Sequence, residues 1–374
     1  MALLKKLTSS DNDHWRLSLD FKKVSQGFPK AVVGYKGQRL IGYGRFSNVY
    51  GAKMIERHSY GNYTKGDVAF KKCWPAPSLA DPCNDPEVAA AILIGPSHEN
   101  LLVARLIHDS VVEQRLQRTL TFDLLTCDLR EALFEKYRRS RSRFEAMDGR
   151  FLSFQLLKAT KYMHSRKLIH RDIKAENIMI DMRTLTLKLS DFGWSIVFDG
   201  RPQRQLRVGT RQLRAPELLV GNHRYDYAID TWACGITIVE ILHPCLMIGA
   251  TEIKGILEEW NNLLGAPNEA QLKNFAGNTV VAKGLLPSGW GEGRRGGPTA
   301  PTQEQMARLA QRFSSLDSDA LQMVFSHLLN YSMTKRSLQQ AASSPFFAPL
   351  RESGAKLNSG RPLPFHRDYF RSLI

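Results

Sequence analysis

Hydrophobic and polar positions alternate in short runs over the first third of the chain. Runs with the alternation and glycine turns typical of strands lie at 39–41, 48–52, 67–71 and 119–125. Residues 57–66 are polar and predict a long hairpin loop. Residues 87–94 are Ala-rich with helical spacing, and Gly95-Pro96 predicts the end of that helix. This part of the chain is therefore predicted to be a sheet with one helix.

Helical periodicity dominates the rest of the chain. Apolar residues recur at helical spacing over 150–164, and 229–242 predict an apolar helix long enough to be a buried core element. Two stretches are predicted to be irregular, namely a basic run at 136–143 and a Gly/Pro-rich stretch at 277–301. A small strand-rich part followed by a larger helical part predicts an α+β protein with two lobes.

The composition limits the cellular compartments in which the protein is expected. The chain has 374 residues, 43% of them hydrophobic, which is enough for one large domain or two smaller ones. It has no apolar run of membrane-spanning length, and its apolar N-terminal stretch is too short for a secretory signal. The five cysteines form no CxxC pair, which disfavours a disulfide scaffold or a zinc ribbon. These features favour the cytoplasm or the nucleus.

The charge leaves two interpretations open. A net charge of +16 favours acidic partners such as nucleic acid, anionic lipid or acidic protein segments, but a solvated basic surface accounts for it equally well. The arginine-rich run Arg138–Arg143 poses the same choice. It is either a docking, nucleic-acid or nuclear-import segment or, as we favour, a solvated loop.

Two early motifs suit the binding of a triphosphate, although each also has a plainer interpretation. The glycines of 42–49 let backbone N–H groups approach phosphates, but they also suit an ordinary hairpin turn. Lys71 ends the strand 68–71 and can contact phosphates if a carboxylate holds it, for which Glu87 is the best candidate. Without that partner Lys71 is an exposed strand lysine.

A third motif is far more specific. Within 170–177, Asp172 can accept a hydrogen bond from a substrate hydroxyl, and Lys174 can neutralise a transferring phosphoryl group. Asn177 can bind a metal through its amide oxygen. Asp191 follows Asp172 by 19 residues, and its carboxylate can bind Mg²⁺. The residues between predict a short β-hairpin that brings Asn177 and Asp191 to the same metal.

In this order the motifs resemble those of the eukaryotic protein kinase family, over most of the chain. The resemblance implies the bilobal protein kinase fold of the α+β class, with a small β-rich N-lobe and a larger α-helical C-lobe. We therefore expect an N-terminal extension at 1–35, a kinase domain at 36–347 and a C-terminal tail at 348–374. The two lobes are expected to be 36–124 and 125–347, with ATP in the cleft.

The resemblance also implies a role for each site residue. Asp172 is the expected catalytic base with Lys174 beside the transferring group, Lys71 and Glu87 form an ion pair, and Asn177 and Asp191 hold Mg²⁺. Phe122 is the expected gatekeeper beside the hinge. The residues expected to contact ATP are Ile41, Gly42, Tyr43, Gly44, Arg45, Phe46, Ser47, Asn48, Val49, Ala69, Lys71, Asp123, Leu125, Asp128 and Met179.

Residues 210–217 resemble the corresponding segment of the CMGC branch, which holds the cyclin-dependent and MAP kinases. Lys174 stands where the resemblance leads us to expect a lysine in serine/threonine kinases. The resemblance therefore implies protein substrates with Ser or Thr acceptors. Gly209 stands where cyclin-dependent kinases carry a residue tied to proline-directed specificity, which puts that preference in doubt. Asp85-Pro86 replaces the cyclin-binding type of segment before Glu87, so a cyclin-type partner is not indicated.

The segment 191–217 contains only Ser195 and Thr210 as hydroxyl residues, and Gln205 stands near the usual activating phosphothreonine. We therefore hypothesise that activity does not need phosphorylation of this segment, with an unusual site at Ser195 as the alternative. Two other functions stay open on the same fold. One is a pseudokinase that acts as a scaffold, and the other is a phosphotransferase for small molecules.

Overall fold

A computed structural model describes 16–20, 30–43, 47–58, 61–74, 84–95, 98–140, 144–203, 205–243, 247–276, 286–288, 290, 301–371 and 373. The side chains of 16–20, 30–32, 56–58, 61–65, 140 and 367 are not part of that description. The chain divides into two compact units. Unit 1 is Met1–Thr126 with Ser190–Gly193, and unit 2 is Cys127–Leu189 with Trp194–Ile374.

Unit 1 is built on a closed antiparallel barrel. Its elements are β1 (Arg16–Asp20), β2 (Lys30–Tyr43), β3 (Ser47–His58), β4 (Gly61–Cys73), α1 (Pro86–Ile94), β5 (Leu106–Val112) and β6 (Arg115–Asp123). The strand order around the barrel is β1-β2-β3-β4-β6-β5. Buried Tyr35, Met54, Val68 and Phe70 fill one side of the sheet, because alternate residues of each strand point the same way.

Two details of unit 1 differ from the sequence expectations. Residues 57–66 were predicted to be a hairpin loop, which is wrong, because β3 and β4 stay paired out to His58 opposite Gly61. Polar composition does not distinguish a loop from a two-stranded ribbon. Val33 and Tyr35, assigned above to an N-terminal extension, lie buried in β2. The predicted domain boundaries themselves stay a prediction.

The helix α1 has clear start and stop signals. Asp85 is its N-cap and accepts a hydrogen bond from the Glu87 N–H at 2.9 Å, and Pro86 occupies the first helical position. Gly95 ends the helix with φ of 74°, a conformation that favours glycine. The predicted helix at 87–94 is thereby confirmed.

Unit 2 is mainly helical, which confirms the α+β prediction for the chain. Its helices are α2 (Leu129–Ser140), α3 (Ala146–Ser165), α4 (Pro216–Leu219), α5 (Ala228–Leu242), α6 (Ile253–Leu264), α7 (Glu269–Ala276), α8 (Gln303–Arg312), α9 (Ser318–His327) and α10 (Leu338–Ser343). Its short strands are β7 (Cys127–Asp128), β8 (Leu168–Ile169), β9 (Ile178–Asp181), β10 (Thr186–Leu189) and β11 (Ile196–Val197). Every residue of α5 is buried, as its apolar pattern predicted. Within the described residues, no helix is long and apolar enough to cross a membrane.

In unit 2, the main prediction that the structure contradicts concerns the basic run at 136–143. Residues 136–140 were predicted to be irregular, but they form the last turns of α2. Arg138 and Arg139 both pair with Glu135 one turn earlier, at 2.9 and 3.1 Å, and such pairs stabilise a helix. Residues 141–143 lie outside the described residues, as does most of the predicted loop at 277–301.

Asn358 and Phe370, which lie beyond residue 347, contact α3. The Asn358 side chain accepts hydrogen bonds from the N–H groups of Met147 and Asp148 at 2.9 and 3.0 Å, in the first turn of that helix. The Phe370 ring lies 5.4 Å from the ring of Phe154 and 6.1 Å from that of Phe151. Phe370 is buried as a result.

Candidate functional site

One face of the barrel in unit 1 carries four of the predicted nucleotide contacts, namely Ile41, Val49, Ala69 and Lys71. Val49 lies opposite Lys71, and Ala69 lies opposite Phe122, so strand pairing places these four side chains on one face. Ile41 is on the same face, because its side chain is next to the Cβ position of Gly51. The buried residues Met54, Val68 and Phe70 occupy the opposite face. An apolar surface beside a strand lysine suits a planar base joined to phosphates.

The glycine-containing segment connects β2 to β3. Gly42 pairs with Val49, and Tyr43 with Asn48, with Ser47 opening β3. The Tyr43 side chain is almost fully exposed. Gly44, Arg45 and Phe46, also predicted to contact the nucleotide, lie outside the described residues. Their part in binding stays a prediction.

Lys71 makes the ion pair that the sequence predicted. Its Nζ is 3.0 Å from Glu87 Oε1 of α1 and 2.9 Å from Asp191 Oδ1. Burial alone lowers the pKa of Lys71, but the Glu87 and Asp191 carboxylates outweigh it and raise that pKa well above its ordinary value. Lys71 is therefore a fixed positive charge, held in place by a strand and a helix of unit 1.

The loop that contains Asp172 is suspended from the buried helix α5. Asp230 accepts the backbone N–H groups of His170 and Arg171 at 2.8 and 2.9 Å, and its Oδ2 is 2.9 Å from His164 Nε2. Burial raises the pKa of Asp230, but the hydrogen bond to His164 and the charge of His164 lower that pKa by more. The net shift is therefore downward. A charged Asp230 thus fixes the loop, in which Arg171 has φ of 69°.

Asp172 lies at the centre of a ring of polar groups in unit 2. Its Oδ2 is 2.8 Å from Lys174 Nζ and accepts the Asn177 amide N–H at 3.0 Å. Its Oδ1 accepts the Thr210 backbone N–H at 3.0 Å and the Thr210 hydroxyl at 3.2 Å. The Lys174 ammonium also donates to that hydroxyl at 3.2 Å. The arrangement fixes the carboxylate as a hydrogen-bond acceptor with a cation beside it.

Gly209 holds Thr210 against this carboxylate. Its φ is 62°, and a Cβ atom there would lie only 2.3 Å from the Arg171 carbonyl oxygen. Arg214 donates to the carbonyl oxygens of Val208 and Gly209 at 2.8 and 3.0 Å. Only glycine fits this close approach of two backbone segments without movement.

The remaining predicted nucleotide contacts lie where the two units divide along the chain. Asp123 ends β6 and pairs with Arg105 at 2.5 Å, and Leu125 follows in the same unit. In unit 2, Asp128 of β7 pairs with Met179 of β9. Asp128 also accepts the Glu131 N–H at 2.8 Å and so starts α2. These placements leave the nucleotide role of each residue a prediction.

The donor set predicted for Mg²⁺ suits that ion. The Asp191 carboxylate and the Asn177 amide supply oxygen, which Mg²⁺ prefers, and the Asp191 side chain is 42% exposed. The predicted hairpin before Asp191 is confirmed as β9 and β10. No cluster of three or more His, Cys, Asp or Glu side chains is found in the described part of the chain.

Two features outside the first motifs complete the description. The side chains of Glu217 and Arg336 are fully buried and form an ion pair at 2.5 Å. The sequence reasoning missed Arg118, which is fully buried and bonded to Asp85. An aspartate followed by proline before an Ala-rich run was the available signal for the N-cap, but nothing in the sequence linked it to Arg118.

Comparisons with known proteins give matches over much of the chain. Residues 35–347 match the family model described as the protein kinase domain. The chain is 31% identical over 199 residues to the serine/threonine kinase NLK of Caenorhabditis briggsae, covering 52% of this chain and 28% of that protein. It is 31% identical over 230 residues to the protein kinase gsk3 of Schizosaccharomyces pombe, covering 60% and 54%. The chain thus spans about a quarter and about half of these two relatives, and both likenesses support the CMGC resemblance.

Proposed function

Because the chain belongs to the protein kinase domain family, we propose that it transfers the γ-phosphoryl group of ATP to serine and threonine hydroxyls of other proteins. The observation that carries this proposal is the ring of polar groups around Asp172 in unit 2. The chain's likeness to a serine/threonine kinase supports the choice of acceptor.

The proposed mechanism gives each charged side chain one task. Asp172 accepts the hydrogen bond of the acceptor hydroxyl and takes its proton as the new P–O bond forms. The Asn177 amide keeps the Asp172 carboxylate in one orientation, which avoids reorganisation during the reaction. Lys174 offsets negative charge on the transferring group.

Binding of the triphosphate is assigned to the charges of unit 1 and the metal ligands. Lys71, fixed by Glu87, contacts phosphate oxygens. Asp191 and Asn177 would hold Mg²⁺, which neutralises phosphate charge when bound. The apolar face formed by Ile41, Val49 and Ala69 contacts the adenine ring.

We also propose that the segment between Asp191 and Glu217 needs no phosphate to take up its active arrangement. Arg171, the residue on which such a phosphate would be held, donates to the Trp194 carbonyl at 2.6 Å and to the Tyr225 hydroxyl at 3.2 Å. Tyr225 is buried and in turn donates to the Gln205 carbonyl at 2.9 Å. Neutral protein groups thus make the bonds that a phosphate would otherwise make.

A peptide-array assay tests the proposed activity. The purified chain is incubated with Mg·ATP labelled at the γ-position and an array of peptides that present serine, threonine or tyrosine. Wild type is expected to label Ser and Thr peptides, whereas Asp172→Asn, which keeps the size of the side chain, loses at least about 10³-fold in kcat. Asp181→Asn in β9 is the matched control, because Asp181 lies outside the proposed machinery.

Three outcomes would contradict the proposal. Tyrosine labelling alone would refute the acceptor, and labelling that persists in Asp172→Asn would point to another catalyst. Binding of Mg·ATP with no turnover on any peptide would support a scaffold instead of an enzyme.

A further inference from the structure

Arg118 is a fully buried arginine outside the site described above. It lies in β6 directly opposite Cys73 of β4, and two residues from Leu120, the partner of Lys71. Paired residues share a face of a sheet, as do alternate residues, so Arg118 and Lys71 point to the same side. Burying a guanidinium away from water is strongly unfavourable unless carboxylates pair with it.

Two aspartates provide that pairing. Arg118 Nε and Nη2 donate to the two oxygens of Asp109 in β5 at 2.9 and 2.8 Å, and Nη1 donates to Asp85 at 2.9 Å. The two-bond contact with Asp109, on the neighbouring strand, fixes the plane of the guanidinium. The remaining nitrogen is thereby aimed at Asp85. We call Asp85, Arg118 and Asp109 the aspartate–arginine triad.

Asp85 connects this triad to the helix α1. One of its oxygens accepts from Arg118, and the other accepts the backbone N–H of Glu87. Glu87 is buried and pairs with Lys71 at 3.0 Å. The first turn of α1 is therefore attached to the sheet at two points, through Arg118 and through Lys71.

Apart from these bonds, α1 is held by apolar packing. The helix has nine residues, and isolated helices of this length are marginal in water. It packs through Val88 and Ala91 against Ala104, Ile107 and Leu120. Small alanine side chains leave few ridges to define an orientation. The bonds at the N-terminus are directional and therefore define the orientation of the helix more strictly than apolar contacts do.

We propose that Asp85 and Arg118 are positioning residues that hold α1 so that Glu87 meets Lys71, and that α1 consequently needs no second protein to hold it. The proposal rests on the proposed kinase function, in which the pair of Lys71 and Glu87 supports phosphate binding. In addition, we assign the positioning of that pair to charged residues within unit 1. The triad acts through Glu87 and does not touch the substrate.

A matched pair of variants separates positioning from simple stability. Asp85→Asn keeps the helix cap, since asparagine caps as well as aspartate, but weakens the bond to Arg118. Glu240→Gln in α5 removes a buried carboxylate from Arg130 in unit 2 and leaves the triad intact. We expect Asp85→Asn to lower kcat/KM about tenfold and Glu240→Gln to lower it less than about threefold, at similar losses in Tm. Equal losses in both variants would overturn the proposal.

A double-mutant cycle with Glu87→Gln tests the route of the effect. If Asp85 acts through Glu87, then Asp85→Asn has little further effect on kcat/KM in the Glu87→Gln background. Independent effects that multiply would overturn the proposal.

Amide hydrogen exchange gives a readout that needs no catalysis. In wild type without any partner protein, the α1 amides should be protected as well as those of β6, and Asp85→Asn should speed α1 exchange more than Glu240→Gln. Fast exchange of α1 in wild type would overturn the proposal, even if neither variant folds. If wild type transfers no phosphate but α1 is protected, the kinase function fails while the positioning stands.

Discussion

Replacing Gly209 by alanine tests the site geometry most directly. The residue has φ of 62°, and a left-handed conformation costs an L-residue about 1–2 kcal/mol. In addition, the new Cβ would lie 2.3 Å from the Arg171 carbonyl oxygen and 3.1 Å from Asp172 Oδ1. Backbone atoms cannot turn aside as a flexible side chain can. One of the two segments must therefore move by about 1 Å to restore an ordinary contact distance.

That movement acts on the proposed catalytic base. Thr210, the next residue, makes both of its bonds to Asp172 from this segment. A displacement of about 1 Å near reacting groups can cost on the order of 10²-fold in rate. We therefore expect Gly209→Ala to lower kcat about 100-fold, with a stability loss of about 1–2 kcal/mol.

The assay compares initial rates of peptide phosphorylation and Tm with those of a control variant. Gly354→Ala introduces the same backbone strain, with φ of 76°, but its Cβ meets no atom within 4 Å. The control should lose similar stability and keep its activity. If Gly209→Ala stays within about twofold of wild-type kcat while its Tm falls like that of the control, the contact with Arg171 does not position Asp172.

Three further predictions follow from the same structure. Phosphatase treatment of purified protein should leave kinase activity within about twofold, because Tyr225 and Trp194 already bind Arg171, and loss of nearly all activity would refute this. Arg336→Met should lower the free energy of unfolding in urea by about 3–5 kcal/mol, since it leaves the Glu217 carboxylate buried alone; exposed Arg183→Met is the control, and an equal effect in both would contradict the reasoning. Chelation of divalent metal should abolish phosphorylation and added Mg²⁺ should restore it, so activity that survives chelation would argue against the assigned metal ligands.

The sequence predicted those parts of the fold and site whose chemistry is local. Asp172, Lys174 and Asn177 lie within one short loop, and the structure brings their side chains into contact as the spacing implied. The buried helix α5 was equally predictable, because its long apolar run indicates a buried core helix. Such features depend on residues that are close together in the sequence.

Features that depend on contacts between residues far apart in the sequence could not be predicted. Arg118 and Asp85 are 33 residues apart, and only the barrel register shows that they meet. The end of α2 was misread because a run of basic residues looks irregular until Glu135 is seen to neutralise two of them. The extended β3–β4 ribbon shows the same limit, since strand pairing rather than composition decides its length.

The contacts of Asn358 and Phe370 with α3 determine where a fragment of this protein can be truncated. A fragment trimmed to the matched family region would end at 347 and uncover the rings of Phe151 and Phe154, while the first turn of α3 would lose the Asn358 acceptor. Exposed aromatic surface of this kind promotes aggregation. The segment that must stay covalently attached for a soluble preparation is thus longer than the segment shared with relatives.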